Sequence, residues 1–156
     1  MIKSQKKLGE ILMAKGLITS VQLKEALDEQ RKTNEFLGKI FLKKNQLKEK
    51  DLLEAISEQF NISYVSLKYK YIDWQLVKQF SLALILDYQC FPIAKDERSI
   101  TFAITNPLDV WAIKKAEEEV RGLKLKLVLV SEGDMKETIQ RYQQYLRSNI
   151  SEIFNK

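Results

Sequence analysis

LGEILMAKGLITSVQLKEALDEQ, at residues 8–30, returns at residues 37–59 as LGKIFLKKNQLKEKDLLEAISEQ. Position 8 corresponds to position 37, and every later position keeps this offset. The identical pairs are Leu8/Leu37, Gly9/Gly38, Ile11/Ile40, Lys15/Lys44, Leu23/Leu52, Glu25/Glu54, Ala26/Ala55, Glu29/Glu58 and Gln30/Gln59. A long match at one constant offset indicates an internal duplication.

Each copy of the duplication predicts two helices joined by a short turn. Apolar residues recur at intervals of three and four on both sides of the turn, which is the pattern of one helical face. Gly16 is placed to end the first helix in a left-handed conformation, and Thr19 or Ser20 can cap the second. Asn45 replaces the glycine in the second copy. Since asparagine tolerates the same conformation, we expect the turn in both copies.

The pattern changes near residue 60. Residues 62–67 alternate like a short strand, Asp73 can cap a helix over 73–80, and a further turn is expected at 83–87. Residues 89–95 and 99–105 flank a polar turn and predict a hairpin, in which Pro92 indicates an edge position or a bulge.

The remainder predicts one strand and two helices. Asn106 can cap a helix over 107–121, with Pro107 at its first position. Residues 124–130 alternate as a half-buried strand, which makes a βαβ unit with strand 99–105. Ser131 can cap a helix over 132–146. We therefore predict an α+β protein: a four-helix subdomain over 1–60, a small α/β subdomain with a three- to four-stranded sheet over 61–146, and a linker-like tail over 147–156.

Composition narrows the range of functions. The 156 residues are 45% hydrophobic and 30% charged, with a net charge of +5, one cysteine and no histidine. Cys90 therefore has no partner for a disulfide within the chain, and the commonest general base and zinc ligand is missing. No phosphate loop, dinucleotide fingerprint or metal motif occurs, so we predict no enzyme within these residues. We also predict no signal peptide, no membrane insertion and a cytoplasmic location.

The basic charge permits an anionic partner without selecting one. Lysines crowd the second copy of the duplication, but no strand interleaves them with aromatic residues. Nucleic acid is therefore not the partner that the sequence favours.

The duplication followed by a strand, a helix, a hairpin and the segment 105-TNPLD-109 resembles the MshEN-type N-terminal domain of type II secretion and type IV pilus assembly ATPases. The resemblance covers about residues 7–145. It implies a regulatory and docking domain, placed ahead of a hexameric P-loop ATPase that these residues do not include. The implied partners are that ATPase domain and the cytoplasmic domain of an inner-membrane platform protein, through which the chain reaches the membrane peripherally.

Some members of that family bind cyclic di-GMP through two tandem 24-residue units of the form RLGxxLxxxGxxxxxxLxxxLxxQ, and this ligand is the alternative function that the resemblance implies. The units correspond here to 7–30 and 36–59. Lys7 and Phe36 stand where the motif has arginine, and Asn45 where it has glycine. A lysine keeps the charge but lacks the planar fork of arginine, and a phenylalanine can stack but donates nothing. The implied ligand residues are Lys7, Leu8, Gly9, Leu23, Leu27, Gln30, Phe36, Leu37, Gly38, Leu52, Ile56, Gln59 and Asp109.

The same residues also have a purely structural interpretation. Leucines at this spacing build helix-pair cores, glycines permit close helix packing, and glutamines cap neighbouring backbone. A third interpretation, a scaffold with neither role, also remains open from the sequence. No resident cofactor is predicted under any of the three.

Overall fold

The computed structural model describes residues 7–154. The chain divides into two compact units, one ending at Ile62 and the other beginning at Ser63. We call them the N-terminal unit and the C-terminal unit and describe each by itself.

Four helices make up the N-terminal unit: α1 (Leu8–Ala14), α2 (Ser20–Thr33), α3 (Leu37–Lys43) and α4 (Glu49–Phe60). Gly16 and Asn45 end the first helix of each copy with φ values of 70° and 52°, so the expected duplicated turn is confirmed. Thr19 caps α2 in a reciprocal capping box with Gln22. Lys48 occupies the matching position before α4 and offers no side-chain oxygen, so the two helix starts differ.

The two copies of the duplication pack against each other. Helix α1 lies against α4, and α2 lies against α3. Two ion pairs follow the same reciprocal pattern: Lys15 Nζ lies 3.1 Å from Glu58 Oε2, and Lys44 Nζ lies 2.7 Å from Glu29 Oε2. Hydrogen bonding to Glu29 is the largest cause that raises the pKa of Lys44. Each lysine thus pairs with the glutamate of the other copy.

One apolar core holds this unit together. Its fully buried side chains come from both copies and include Leu12, Ile40 and Phe41, none of which is exposed. Buried aliphatic and aromatic side chains of this size each stabilise the fold by about 1.5–3 kcal/mol relative to exposure. The core therefore depends on the presence of both copies.

The C-terminal unit contains short helical segments, a small sheet and two longer helices. These are α5 (Trp74–Val77), a π-helical turn at Ala83–Asp87, β1 (Phe91–Lys95), β2 (Ser99–Ile104), α6 (Val110–Glu119), β3 (Lys124–Leu129) and α7 (Glu132–Phe154). The sheet has the order β1-β2-β3, antiparallel between β1 and β2 and parallel between β2 and β3. The predicted hairpin, the strand–helix–strand unit and the α+β class are confirmed.

Strand β2 separates two apolar clusters, because its side chains alternate between the faces of the sheet. Phe102 packs with residues of α6, whereas Ala103 packs with residues of α7. The unit therefore has three layers, with the sheet between two helices. The pairing of β1 with β2 shifts register between Pro92 and Ala94, so the proline does lie at an irregularity, as predicted.

Several predicted elements are wrong in detail. Residues 62–67 do not form a strand of the sheet; their pairing is an isolated parallel bridge between Tyr64 and Leu129. The helix predicted over 73–80 is limited to Trp74–Val77. The helix predicted from Pro107 begins at Val110, and the cap is Asp109 rather than Asn106.

The tail is also different from the expectation. Helix α7 begins after Ser131, as predicted, but continues to Phe154, so residues 147–154 are not irregular. Ser148 and Ser151 each donate a hydroxyl hydrogen bond to the carbonyl four residues earlier, that of Gln144 and that of Arg147. These bonds satisfy the two hydroxyls within the helix. The rest of the predicted tail, residues 155–156, lies outside the described residues. Between residues 7 and 154, we find no helix that combines the length and the apolarity needed to cross a membrane.

Candidate functional site

The two motif glycines lie directly beneath leucines of the following helix. A Cβ atom on Gly9 would stand 2.6 Å from Leu23 Cδ1, and one on Gly38 would stand 2.8 Å from Leu52 Cδ1. Since real Cβ atoms do not approach so closely, an alanine at either position would force the leucine side chain above it to shift. Both glycines are buried, so their backbone is covered by leucine in this structure.

Most of the apolar motif residues belong to the core. Leu52 is buried, and four others pack partly buried against the same cluster: Leu8, Leu23, Leu37 and Ile56. Leu27 differs, because 36% of it is exposed. The core role thus accounts for most of these residues but not for Leu27.

Lys7 and Phe36 occupy equivalent positions at the starts of α1 and α3. Their backbones are extended, with φ and ψ of −75° and 145° at Lys7 and −65° and 137° at Phe36. Both side chains are exposed, and 46% of Phe36 is accessible. The two positions therefore share one backbone geometry, and only their side chains distinguish them.

The two motif glutamines are half-buried. Gln30 donates from Nε2 to the carbonyl of Glu35 at 3.1 Å, which joins the end of α2 to the loop before α3. That contact is the local backbone cap that the structural interpretation of this residue predicts. Gln59 lies at the corresponding place near the end of α4.

Asp109 belongs to the C-terminal unit, where its Oδ1 accepts the backbone N–H of Ala112 at 3.0 Å and caps α6. The side chains around it face solvent: Leu108 is 53%, Val110 65% and Trp111 70% exposed. Lys114 Nζ lies 5.7 Å from the Trp111 ring centroid. We call Leu108, Val110 and Trp111 the Trp111 surface.

Cys90 is buried beneath the same segment and donates to the carbonyl of Ala112. Burial, and then the charge of Asp109, raise the pKa of the Cys90 thiol to about 12. A thiol with such a pKa is protonated at neutral pH and is a poor nucleophile. Cys90 is thus a core residue of the C-terminal unit.

A depression of about 250 Å³ lies along one side of α2 and was not predicted from the sequence. Leu23 and Leu27 are the motif residues in it. The motif leaves the positions of the other lining residues unspecified and therefore does not predict them, although the spacing of three and four places those of α2 on one helical face. The full lining is Met13, Ser20, Leu23, Lys24, Leu27, Asp28 and Arg31.

Comparison with known protein families identifies the family of this chain. The model of the MshEN domain matches residues 60–149, which is more than half of the chain. The chain belongs to the MshEN domain family. The match covers mainly the C-terminal unit and leaves most of the duplicated helices outside it.

Two relatives with curated descriptions extend the similarity. The type IV pilus assembly ATPase PilB of Myxococcus xanthus is 25% identical over 136 residues, which are 87% of this chain and 24% of that protein. The type IV pilus assembly ATPase PilB of Thermus thermophilus is 44% identical over 59 residues, which are 38% of this chain and 6% of that protein. The chain therefore spans at most about a quarter of the length of these relatives.

Solved structures share the fold. A structure of MshE with cdg has a TM-score of 0.83 at 22% identity and covers 88% of this chain and 99% of that one. The N-terminal domain of XpsE has a TM-score of 0.66 at 17% identity and covers 90% of this chain and 96% of that one. The predicted resemblance to the N-terminal domains of these ATPases is confirmed.

Proposed function

We propose that this MshEN domain is a non-catalytic docking and regulatory domain, which couples a secretion or pilus ATPase to the cytoplasmic part of an inner-membrane platform protein. The Trp111 surface carries this proposal. Exposed apolar patches on small soluble domains are uncommon and mark interaction sites. Tryptophan in particular is enriched among the residues that dominate binding energy.

Replacing Trp111 with alanine is therefore expected to weaken binding to the platform protein's cytoplasmic domain about tenfold or more. Because 70% of Trp111 is exposed, the fold is expected to remain intact. Titration of the two purified proteins measures the affinity, and far-UV circular dichroism checks the fold. Tyr69→Ala is a matched control, since Tyr69 is an aromatic residue of the same unit with 92% exposure.

The proposal fails if the unaltered chain gives no complex at tens of micromolar. A complex that Trp111→Ala leaves unchanged would instead place the interface elsewhere on the domain.

A second candidate is a receptor for cyclic di-GMP. The observation that favours it is the backbone geometry that the two tandem units share, together with the fold shared with MshE, of which a structure with cdg has been solved. We take cdg to stand for cyclic di-GMP. Lys7 and Phe36 start their helices with the same backbone conformation, so the second unit keeps the frame of the first.

Calorimetric titration with cyclic di-GMP tests this candidate, with Lys7→Ala as the informative variant. We expect binding that weakens when the Lys7 charge is removed, because a lysine can pair with a phosphate. A ligand present at 100 times its Kd should also stabilise the chain by about 2.7 kcal/mol, which thermal unfolding detects. If millimolar cyclic di-GMP produces neither heat of binding nor a shift of the unfolding temperature, the receptor role is wrong. Binding that Lys7→Ala does not change would show that Lys7 is outside the site.

A further inference from the structure

Helix α2 presents an open face that the second copy of the duplication does not repeat. The face consists of residues 20, 23, 24, 27, 28 and 31, whose spacing of three and four forms one stripe along the helix. Met13 from α1 borders it, and together they line the depression of about 250 Å³. We call this stripe the α2 face.

The equivalent face of α4 is largely buried. Leu53 corresponds to Lys24 and Phe60 corresponds to Arg31; Leu53 and Phe60 are only 6% and 8% exposed. In the first copy both positions carry cations, and 78% of the Arg31 side chain is exposed. Since the two copies share one helix-pair frame, the substitution of cations for apolar residues is what distinguishes the α2 face.

The chemistry of the α2 face suits a ligand that is both flat and anionic. Met13 and Leu27 provide exposed apolar surface, at 38% and 36%, and the half-buried Leu23 lines the same depression. A purine ring can pack on such side chains, while Lys24 and Arg31 meet negative charge. The arginine guanidinium adds a planar fork that pairs bidentately with a phosphate or with the Hoogsteen edge of guanine.

We propose that Arg31, assisted by Lys24, recognises a guanine nucleotide on the α2 face. This inference rests on the proposed cyclic di-GMP binding and adds to it a residue that lies outside the 24-residue units.

Asp28 provides a test in the opposite direction, because its replacement should strengthen binding of the ligand. Its Oδ1 lies 3.3 Å from Arg31 Nη1, and both side chains are largely exposed. Such a solvent-exposed pair contributes little to stability, so its removal should leave the fold unchanged. However, the carboxylate competes for the guanidinium and repels an anion on the same face. Removing its charge should therefore favour the ligand.

The experiment is a calorimetric titration of cyclic di-GMP into the 156-residue chain and four single variants. Arg31→Ala should weaken binding about tenfold and Lys24→Ala about threefold, because each loses a charge-assisted contact. Asp28→Asn should strengthen binding about two- to fivefold. Lys32→Ala is the matched control: Lys32 is exposed on the same helix, outside the lining of the depression, and its loss should change affinity less than about twofold.

The outcomes separate the two proposals. No binding by the unaltered chain overturns the receptor role and this inference together. Binding that Arg31→Ala leaves unchanged overturns the role of Arg31 while the receptor role stands. Equal weakening by Arg31→Ala and Lys32→Ala would mean a general attraction to positive charge, which also overturns the specific role of Arg31.

Discussion

Replacing Phe41 with alanine is expected to unfold much of the N-terminal unit under conditions in which the unaltered chain is folded. Phe41 is fully buried in the core that both copies share. Truncation of a buried phenylalanine costs about 3–5 kcal/mol. A unit of this size is stabilised by only about 3–9 kcal/mol in total. The substitution therefore removes a large part of its stability.

Urea unfolding measures this effect, and the chain offers two separate signals. Both tryptophans, Trp74 and Trp111, belong to the C-terminal unit, so tryptophan fluorescence reports that unit. Far-UV circular dichroism includes the helices of both units. We expect the circular dichroism midpoint to fall by about 1–3 M urea. Phe36→Ala, at an exposed position near the start of the same helix, should leave it nearly unchanged. A Phe41→Ala chain as resistant as the Phe36→Ala chain would contradict the assigned core.

Replacing Phe36 with arginine is expected to raise the affinity for cyclic di-GMP about tenfold or more. The position has the backbone conformation of Lys7 and an exposed side chain, so an arginine fits without disturbing the core. A bidentate contact to guanine contributes about 1–3 kcal/mol of discrimination, which is of the required size.

Comparison with Phe36→Lys separates charge from geometry in the same calorimetric titration. A lysine adds the positive charge without the fork, so its gain should be smaller than that of arginine. If both variants gain equally, only charge matters at this position. If neither Phe36→Arg nor the unaltered chain binds, the helix-pair frame alone is not sufficient for this ligand.

The fold of the N-terminal unit could be predicted because local signals agree with the global packing. Gly16 and Asn45 mark matching turns, and the apolar spacing marks the helices. The sequence could not show that the motif glycines lie beneath Leu23 and Leu52, because that contact joins different helices. Nor could it show that the face of α2 is open while that of α4 is buried.

The wrong predictions for the C-terminal unit can be explained by particular residues. The segment 105-TNPLD-109 offers two capping residues, and the structure uses both. Asn106 accepts the N–H of Leu108 in a turn, and Asp109 then caps α6. Sequence patterns place a cap near this point but do not choose between two candidates three residues apart. Likewise, residues 62–67 have the composition of a strand, but strand formation depends on distant pairing that composition does not report.

The reciprocal ion pairs Lys15–Glu58 and Lys44–Glu29 make the N-terminal unit the single-chain equivalent of a symmetric homodimer. In such an assembly, residue i of one subunit meets residue j of the other and the reverse contact also exists. When the two halves are joined in one chain, their sequences can differ, because each half is encoded separately. One half can then bury apolar residues on one face, as α4 does with Leu53 and Phe60, while the other half exposes cations on the corresponding face, as α2 does with Lys24 and Arg31. The duplication thus allows a stable scaffold and a variable surface to evolve separately within about sixty residues.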